Sequence, residues 1–215
     1  MNRSLVVPLI AAATLFQTGC ASVYYGAMEK MGVPKREIMV DRVKGAQKSQ
    51  IETKVVFSNA LEQFKSVVDI KGGNLEAKYN KLSAALAKSE GAAAEVRSRI
   101  DSVEAVSEAL FKEWKGELKQ YSNEQLRRSS ESQLKASKAK YHDLIAAMKK
   151  AESRLEPALQ PLRDQVLYLK HNLNAKAIGA LSGEVAAIET KVDDLVRDME
   201  AAIREADAFI ATLSP

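Results

Sequence analysis

From Ile178 onward the chain places an apolar or small residue at every third or fourth position: Ile178, Leu181, Val185, Ile188, Val192, Leu195, Met199, Ala202, Ala206, Phe209 and Leu213. Alternating steps of three and four average 3.5 residues, the repeat of helices packed as a coiled coil, and a strand with its period of two cannot produce them. A second stretch keeps the same steps through Leu75, Tyr79, Leu82, Leu86, Ser89, Ala93, Val96, Ile100, Val103, Ser107, Leu110, Trp114, Glu117 and Tyr121, with Ser89, Ser107 and Glu117 as polar interruptions. A third runs Ser137, Tyr141, Leu144, Met148, Ala151, Leu155, Ala158, Leu162, Val166, Leu169 and Leu173, with one extra residue near Leu162, like the stutters that locally unwind a coiled coil. The pattern is weakest at the start: Val43, then a gap to Phe57, Leu61, Phe64 and Val68.

Turn and cap residues divide these stretches. Asp69 to Asn74 holds Gly72-Gly73, free to take left-handed angles, and Asn74 can cap the next helix. Ser122-Asn123 can end one helix and cap another, Asn172-Leu173-Asn174 separates the last two, and Gly32-Val33-Pro34 sets off a short leading helix. The predicted helices cover about 35–70, 74–122, 124–173 and 176–213. The expected fold is all-α, an elongated antiparallel bundle or coiled coil of about four long helices. Pro157 and Pro161 lie within the third pattern, where each removes a backbone donor. They kink that helix, or Pro157 stands in the tolerant first turn of a new one, and either way geometry explains them better than a functional hinge.

At 1.5 Å per residue the second and third helices are each about 70–75 Å long and the fourth about 57 Å. In an up-down arrangement the first and fourth therefore cover only part of that pair. The junction projects as a two-helix hairpin whose tip runs from Tyr121 to Arg128, pointing the same way as the start of the first long helix. Charge supports pairing of the third and fourth helices. Residues 127–150 hold seven Lys and Arg against two acids, and residues 177–213 hold three basic against eight acidic residues. Folded at Asn174, Lys149 and Lys150 lie across from Asp198 and Glu200, and Lys135 to Lys140 face the end of the fourth helix. The competing arrangement is an oligomer in which the fourth helix pairs with another subunit.

Composition agrees with long helices: 46% hydrophobic, 6% aromatic, few glycines and prolines. The net charge of +4 is mild for 215 residues and is no nucleic-acid signature. The one cysteine, Cys20, excludes an intramolecular disulfide. Its setting is informative. A basic start, Met1 to Ser4, leads into an apolar run from Leu5 to Phe16, and Thr18-Gly19 precede Cys20, the layout of a secretory signal with a small-residue cleavage site. Cysteine at the first mature position is similar to a bacterial lipoprotein signal, although Gln17 stands where an aliphatic residue is usual. The alternatives are simple secretion, cut near Ala21-Ser22, and a membrane span, for which the apolar run falls short of the roughly 20 residues required. The expected division is a signal over residues 1–19, an anchored linker with a short helix over 20–34, and the helical domain over 35–215. Lipidation at Cys20 would anchor the chain on the periplasmic face of a membrane, with Ala21-Ser22 favouring the outer one.

Catalytic chemistry finds little to stand on. His142 and His171 are 29 positions apart and cannot share a metal on one long helix. No metalloprotease helix motif, glycine-rich phosphate loop or nucleophile elbow occurs in the sequence. No catalytic, cofactor or metal residues are expected, nor a small-molecule substrate. Lys35, Arg36 and Arg42 near the anchor, with Arg127 and Arg128 at the tip, are the candidate contacts with anionic membrane or a partner. The plainer reading of all five is a solvated helix face. Trp114 occupies a core step, which points to packing.

Tyr24-Tyr25, Met28-Glu29-Lys30, Gly32, Lys35-Arg36-Glu37-Ile38 and Asp41-Arg42-Val43 resemble the opening of a proteobacterial family of unknown function, often described as lipoproteins. Leu155-Glu156-Pro157, Arg163 to Val166, Leu169 to Asn174 and Glu205-Ala206-Asp207 are similar too, so the resemblance covers nearly the whole mature chain. Glu37 departs from it, where the family resembles an aspartate. The resemblance implies a helical exported protein and supplies no activity or site. The expected function is a lipid-anchored periplasmic rod that acts as a scaffold or binds an envelope protein or itself. The alternative is a module that touches anionic lipid through its basic faces.

Overall fold

Two asparagines begin the long hairpin of the molecule. The side chain of Asn74 accepts a hydrogen bond from the Ala77 amide at 3.1 Å, and that of Asn123 accepts from Gln125 at 2.9 Å and Leu126 at 3.1 Å. Each satisfies donors that a helix start leaves unpaired. The computed structural model describes residues 19–69, 74–172 and 181–213, with side-chain environments from Tyr24. Its helices are α1 (Gly19–Lys30), α2 (Lys35–Asp69), α3 (Leu75–Glu117), α4 (Glu124–Ser153), α5 (Leu155–His171) and α6 (Val185–Leu213), with 3₁₀ turns at Leu118–Gln120 and Ser182–Glu184. Among the described residues there is no strand, and the fold is an all-α bundle. The expected signal at residues 1–19, the Gly72-Gly73 turn and the link at Leu173-Asn174 lie outside the described residues, apart from Gly19.

The heptads become the core. From Ile188 to Leu213 every step of the last pattern is buried. The weak first pattern is in fact unbroken: Met39, Val43, Ala46, Gln50, Thr53, Phe57, Ala60, Phe64 and Val67 are all buried on α2 and step by fours and threes. Gln50 and Thr53 are polar, so the repeat cannot be followed across them by hydropathy alone. On α3, Lys78, Ala85, Val106 and Phe111 are buried beside the heptad positions, because α3 touches α2 on one side and α4 and α5 on others.

The third pattern is two helices. The chain leaves α4 at Arg154 (φ −85°, ψ −15°) and restarts at Leu155. Pro157 is the third residue of α5, where its missing N–H would have had no intrahelical partner in any case. Pro161 alone sits in the helix interior. Leu155, Ala158, Leu159 and Leu162 remain buried through the join, so the break does not open the core. His142 and His171 fall on different helices, both exposed.

Ion pairs and polar contacts record the register of an up-down-up-down bundle within one chain. Lys65–Glu189 at 2.7 Å, Lys54–Glu200 at 2.6 Å and Gln47–Asp207 at 2.7 Å run α6 antiparallel to α2. Lys149–Glu104 at 2.9 Å and Arg163–Glu90 at 2.6 Å run α4 and α5 antiparallel to α3. Lys150 and Arg154 both reach Asp198 of α6 at 2.9 Å. The expected Lys150–Asp198 juxtaposition is present, whereas Lys149 turns to α3 and Glu200 to α2. Exposed pairs of this kind select alignment more than they stabilise it.

Asp198 differs, since its side chain is 3% exposed. Burial pushes its carboxyl up, but hydrogen bonds from Lys150 and Arg154 outweigh that and hold its pKa below the ordinary aspartate value. A depressed folded pKa stabilises the protein above the unfolded carboxylate pKa and loses that contribution as pH falls through the folded one. Urea unfolding midpoints are therefore expected to drop as pH falls from about 4, the unfolded carboxylate range. In the Asp198→Asn variant that slope is expected to be shallower. Parallel slopes for the two proteins would remove Asp198 from the account.

The leading helix α1 folds back on α2. Gly32 takes φ +84°, a conformation that favours glycine, and Val33 donates back to the Met28 carbonyl at 3.0 Å, closing α1 with a Schellman turn. Beyond it α1 doubles back: Glu29 meets Lys35 at 2.5 Å, and Tyr24 accepts a hydrogen bond from Arg42 at 3.3 Å. Followed toward Cys20, α1 thus climbs along α2 and away from the hairpin tip. The tip points the same way as the start of α2, since Lys35 meets Glu113, while α1 runs back from that end. The glycine turn reverses the chain before it enters the bundle.

Candidate functional site

Past Lys35 and Leu213, where α2 and α6 begin and end, α3 and α4 continue as a two-helix hairpin. Lys35 marks the boundary. Its ammonium sits 2.5 Å from Glu29 of α1 and 2.6 Å from Glu113 of α3. Burial works against its charge, but hydrogen bonds to Glu113 and Glu29 prevail and hold its pKa above the ordinary lysine value. Burial pushes the Glu113 carboxyl up, while the bond from Lys35 holds that of Glu29 down. One cation thereby ties three helices together. Replacing Lys35 with alanine leaves two carboxylates facing each other, and amide exchange in α1 is expected to accelerate about tenfold or more, roughly 1.4 kcal/mol of local stability. Hydrogen exchange read by mass spectrometry checks this, and unchanged protection of α1 would refute it.

On the hairpin itself, Trp114 of α3 donates from its indole nitrogen to the Ser130 hydroxyl at 2.8 Å. Its ring packs half-buried against the core, as the heptad position implied. At the apex Tyr121 and Leu126 are exposed, 41% and 57%. Arg127 and Arg128 both fold onto Glu124, at 2.7 and 2.9 Å, and that pairing lowers the Glu124 carboxyl pKa.

The five basic residues singled out from the sequence therefore have distinct settings. Lys35 bridges Glu29 and Glu113, Arg42 donates to Tyr24, and Arg127 and Arg128 share Glu124. Arg36 is exposed and lines a shallow groove with Trp114, Gln133, Ser137 and Leu213. Lys35 and Arg36 lie at one level of the bundle, Arg42 lies further from the tip, and Arg127 and Arg128 lie at the tip itself, so the five form no single patch. Cys20 is the second residue of α1. Among the described residues no helix is long and apolar enough to cross a membrane, and no three His, Cys, Asp or Glu side chains gather to hold a metal ion.

A different basic surface emerges on the other flank of the hairpin. Lys115, Leu118 and Lys119 from the α3 side, with Arg127, Glu131, Leu134, Lys135 and Lys138 from α4, line a groove of about 560 Å³. Lys138 lies 5.6 Å from the centre of the Phe111 ring. Lys115, Lys119 and Lys135 are exposed, and none of them enters an ion pair among the described residues. Charge counted by segment hides this surface, because it sets Lys135 to Lys140 as one block against the acidic last helix. The usable signal was rotational: Glu131, Lys135 and Lys138 step by four and three and so share one helical face, as do Lys115 and Lys119.

The chain belongs to the family described as Protein of unknown function (DUF2959), whose model matches residues 24–213. That span runs from α1 to the end of α6 and includes the hairpin. A search of the curated proteins found no match.

Proposed function

We propose that this DUF2959 chain is a lipid-anchored rod of the bacterial cell envelope that presents its hairpin tip to a protein partner. The carrying observation is that hairpin, which extends past the ends of α2 and α6 and bears lysines that enter no ion pair among the described residues. Over residues 112–140 the hairpin holds eight Lys and Arg against four Glu. The heptad side chains fill the interior from end to end, so what the molecule offers is surface and reach, with α3 alone about 64 Å long. The tether is read from the sequence: the basic start, apolar run and Gly19-Cys20 would place a diacylated cysteine at the head of α1.

Mass analysis of the mature N-terminus, with Cys20→Ser as control, tests the tether, and an unacylated terminus would defeat it. Crosslinking from intact membranes tests the rod. Absence of any reproducible partner or self-association would overturn it.

A second reading has one observation in its favour, the exposed Tyr121 and Leu126 at the apex beside Arg128, an amphipathic tip suited to an anionic membrane surface. Vesicle sedimentation of the Cys20→Ser protein decides it, and equal recovery with neutral and anionic lipid would exclude it.

A further inference from the structure

Beyond Lys35 the α3–α4 hairpin has two flanks, one lined by Arg36, Trp114 and Leu213 where α2 begins and α6 ends, and the opposite one lined by Lys115, Lys119 and Lys135. Two helices side by side leave a valley, and in this one the valley is amphipathic. Leu134, 6% exposed, and the half-buried Leu118 form its floor. Lys115 and Lys119 stand on one wall, and Lys135 and Lys138 on the other. Glu131 is the one acidic residue lining it. From Arg127 to Lys138 the α4 wall is 12 residues, about 16 Å or three helical turns. Arg127 is held by Glu124 and Lys138 lies over Phe111, which leaves Lys115, Lys119 and Lys135 available to an incoming group.

We infer that this valley is a docking site for an acidic amphipathic helix of about three turns, supplied by the protein partner of the rod. Concavity and charge together select that occupant. A helix about 10 Å across fits along the valley between two packed helices. Its apolar stripe meets Leu118 and Leu134, and its carboxylates meet three unneutralised ammonium groups. A planar lipid surface would meet the convex apex instead and leave the valley floor unfilled. The inference rests on the partner-binding reading above and specifies the partner.

The test is fluorescence anisotropy of a labelled synthetic peptide of about 14 residues, leucine at heptad a and d positions and glutamate elsewhere, titrated with the full chain carrying Cys20→Ser. Saturable binding is expected, weakened about tenfold or more by Lys115→Glu with Lys135→Glu and unaffected by Arg128→Glu, which lies outside the valley. Both lysines are exposed, so the double variant is expected to keep the parent unfolding midpoint. The milder Lys115→Gln with Lys135→Gln repeats the measurement without charge reversal. Three results overturn the site: no saturable binding, equal binding of polyglutamate, or equal loss with Arg128→Glu. Binding of phosphatidylglycerol vesicles that depends on Lys115 and Lys135, without peptide binding, assigns the surface to membrane instead. A crosslinked partner that survives both double variants removes the valley and leaves the rod standing, whereas the absence of any partner removes the rod itself.

Discussion

Replacing Phe209 with alanine is expected to cost 3–5 kcal/mol of stability, enough to lower the thermal midpoint by roughly 6–20 °C. Phe209 is 1% exposed near the end of α6. Its ring meets Tyr141 of α4 edge-on at 6.3 Å, and Tyr141 meets Phe111 of α3 edge-on at 5.5 Å. This aromatic row joins three helices just below the uncovered hairpin, with Lys138 of the valley wall over its last ring. The loss therefore combines the burial of a phenyl group, a cavity among three helices and an edge-to-face contact beyond area alone. Phe209→Leu keeps most of the volume and is expected to lose well under half as much. Calorimetry of the two variants checks both statements, and a shift of under about 1 kcal/mol for alanine would show that the site collapses around the cavity. Because the row supports the valley wall, Phe209→Ala is also expected to speed amide exchange in the first turns of α4 while the exposed residues of the valley stay chemically unaltered.

Replacing Gln50 with leucine or methionine is expected to act in the opposite direction, raising stability by about 1–3 kcal/mol. Gln50 is fully buried on α2, and neither end of its amide has a hydrogen-bond partner among the described residues; the neighbouring Ser49 hydroxyl is in the same condition. Thr53 reaches the Ala92 carbonyl only at 3.5 Å. A buried amide without partners carries its full desolvation cost, and an apolar side chain of similar size removes that cost while keeping the heptad step filled. Denaturant midpoints measure the gain. A midpoint that falls instead would mean that the amide is satisfied in solution. Sedimentation of the same variants adds a second reading. Polar groups at core heptad positions can specify register and partner number at the expense of stability. Stabilised Gln50→Leu protein that forms mixed oligomers would assign that role to Gln50, and a monodisperse species would deny it.

Gln50 also shows where reading the sequence stops short. The first heptad looked broken between Val43 and Phe57 because its intervening steps are Ala46, Gln50 and Thr53, residues whose hydropathy says surface while their position says core. Position wins, since a helix flanked by two partners over its whole length buries whatever stands on its inner face. The same logic explains Lys78, buried on α3 yet donating to the Val67 carbonyl in the last turn of α2 at 3.1 Å, where a cation suits unpaired carbonyls. The basic residues read as contacts, Lys35, Arg42, Arg127 and Arg128, each acquire a near neighbour: Glu29 and Glu113, Tyr24, and Glu124. The Glu124 pairing was within reach, because residues three and four apart on a helix are neighbours. The others join positions far apart in the chain.

By itself the sequence determined the local structure: which segments are helices, where Asn74 and Asn123 start them, and which stripe of each turns inward. These follow from periodicity and capping, which depend on residues a few positions apart. Tertiary structure alone decided the rotation and register of the helices against one another. That choice sent Lys149 to α3 instead of α6, folded α1 back along α2, and left one flank of the hairpin as an unfilled cationic valley. The physical reason is that a heptad pattern repeats. It is satisfied by several alignments and by either neighbour, and only the summed packing of all the faces at once selects among them.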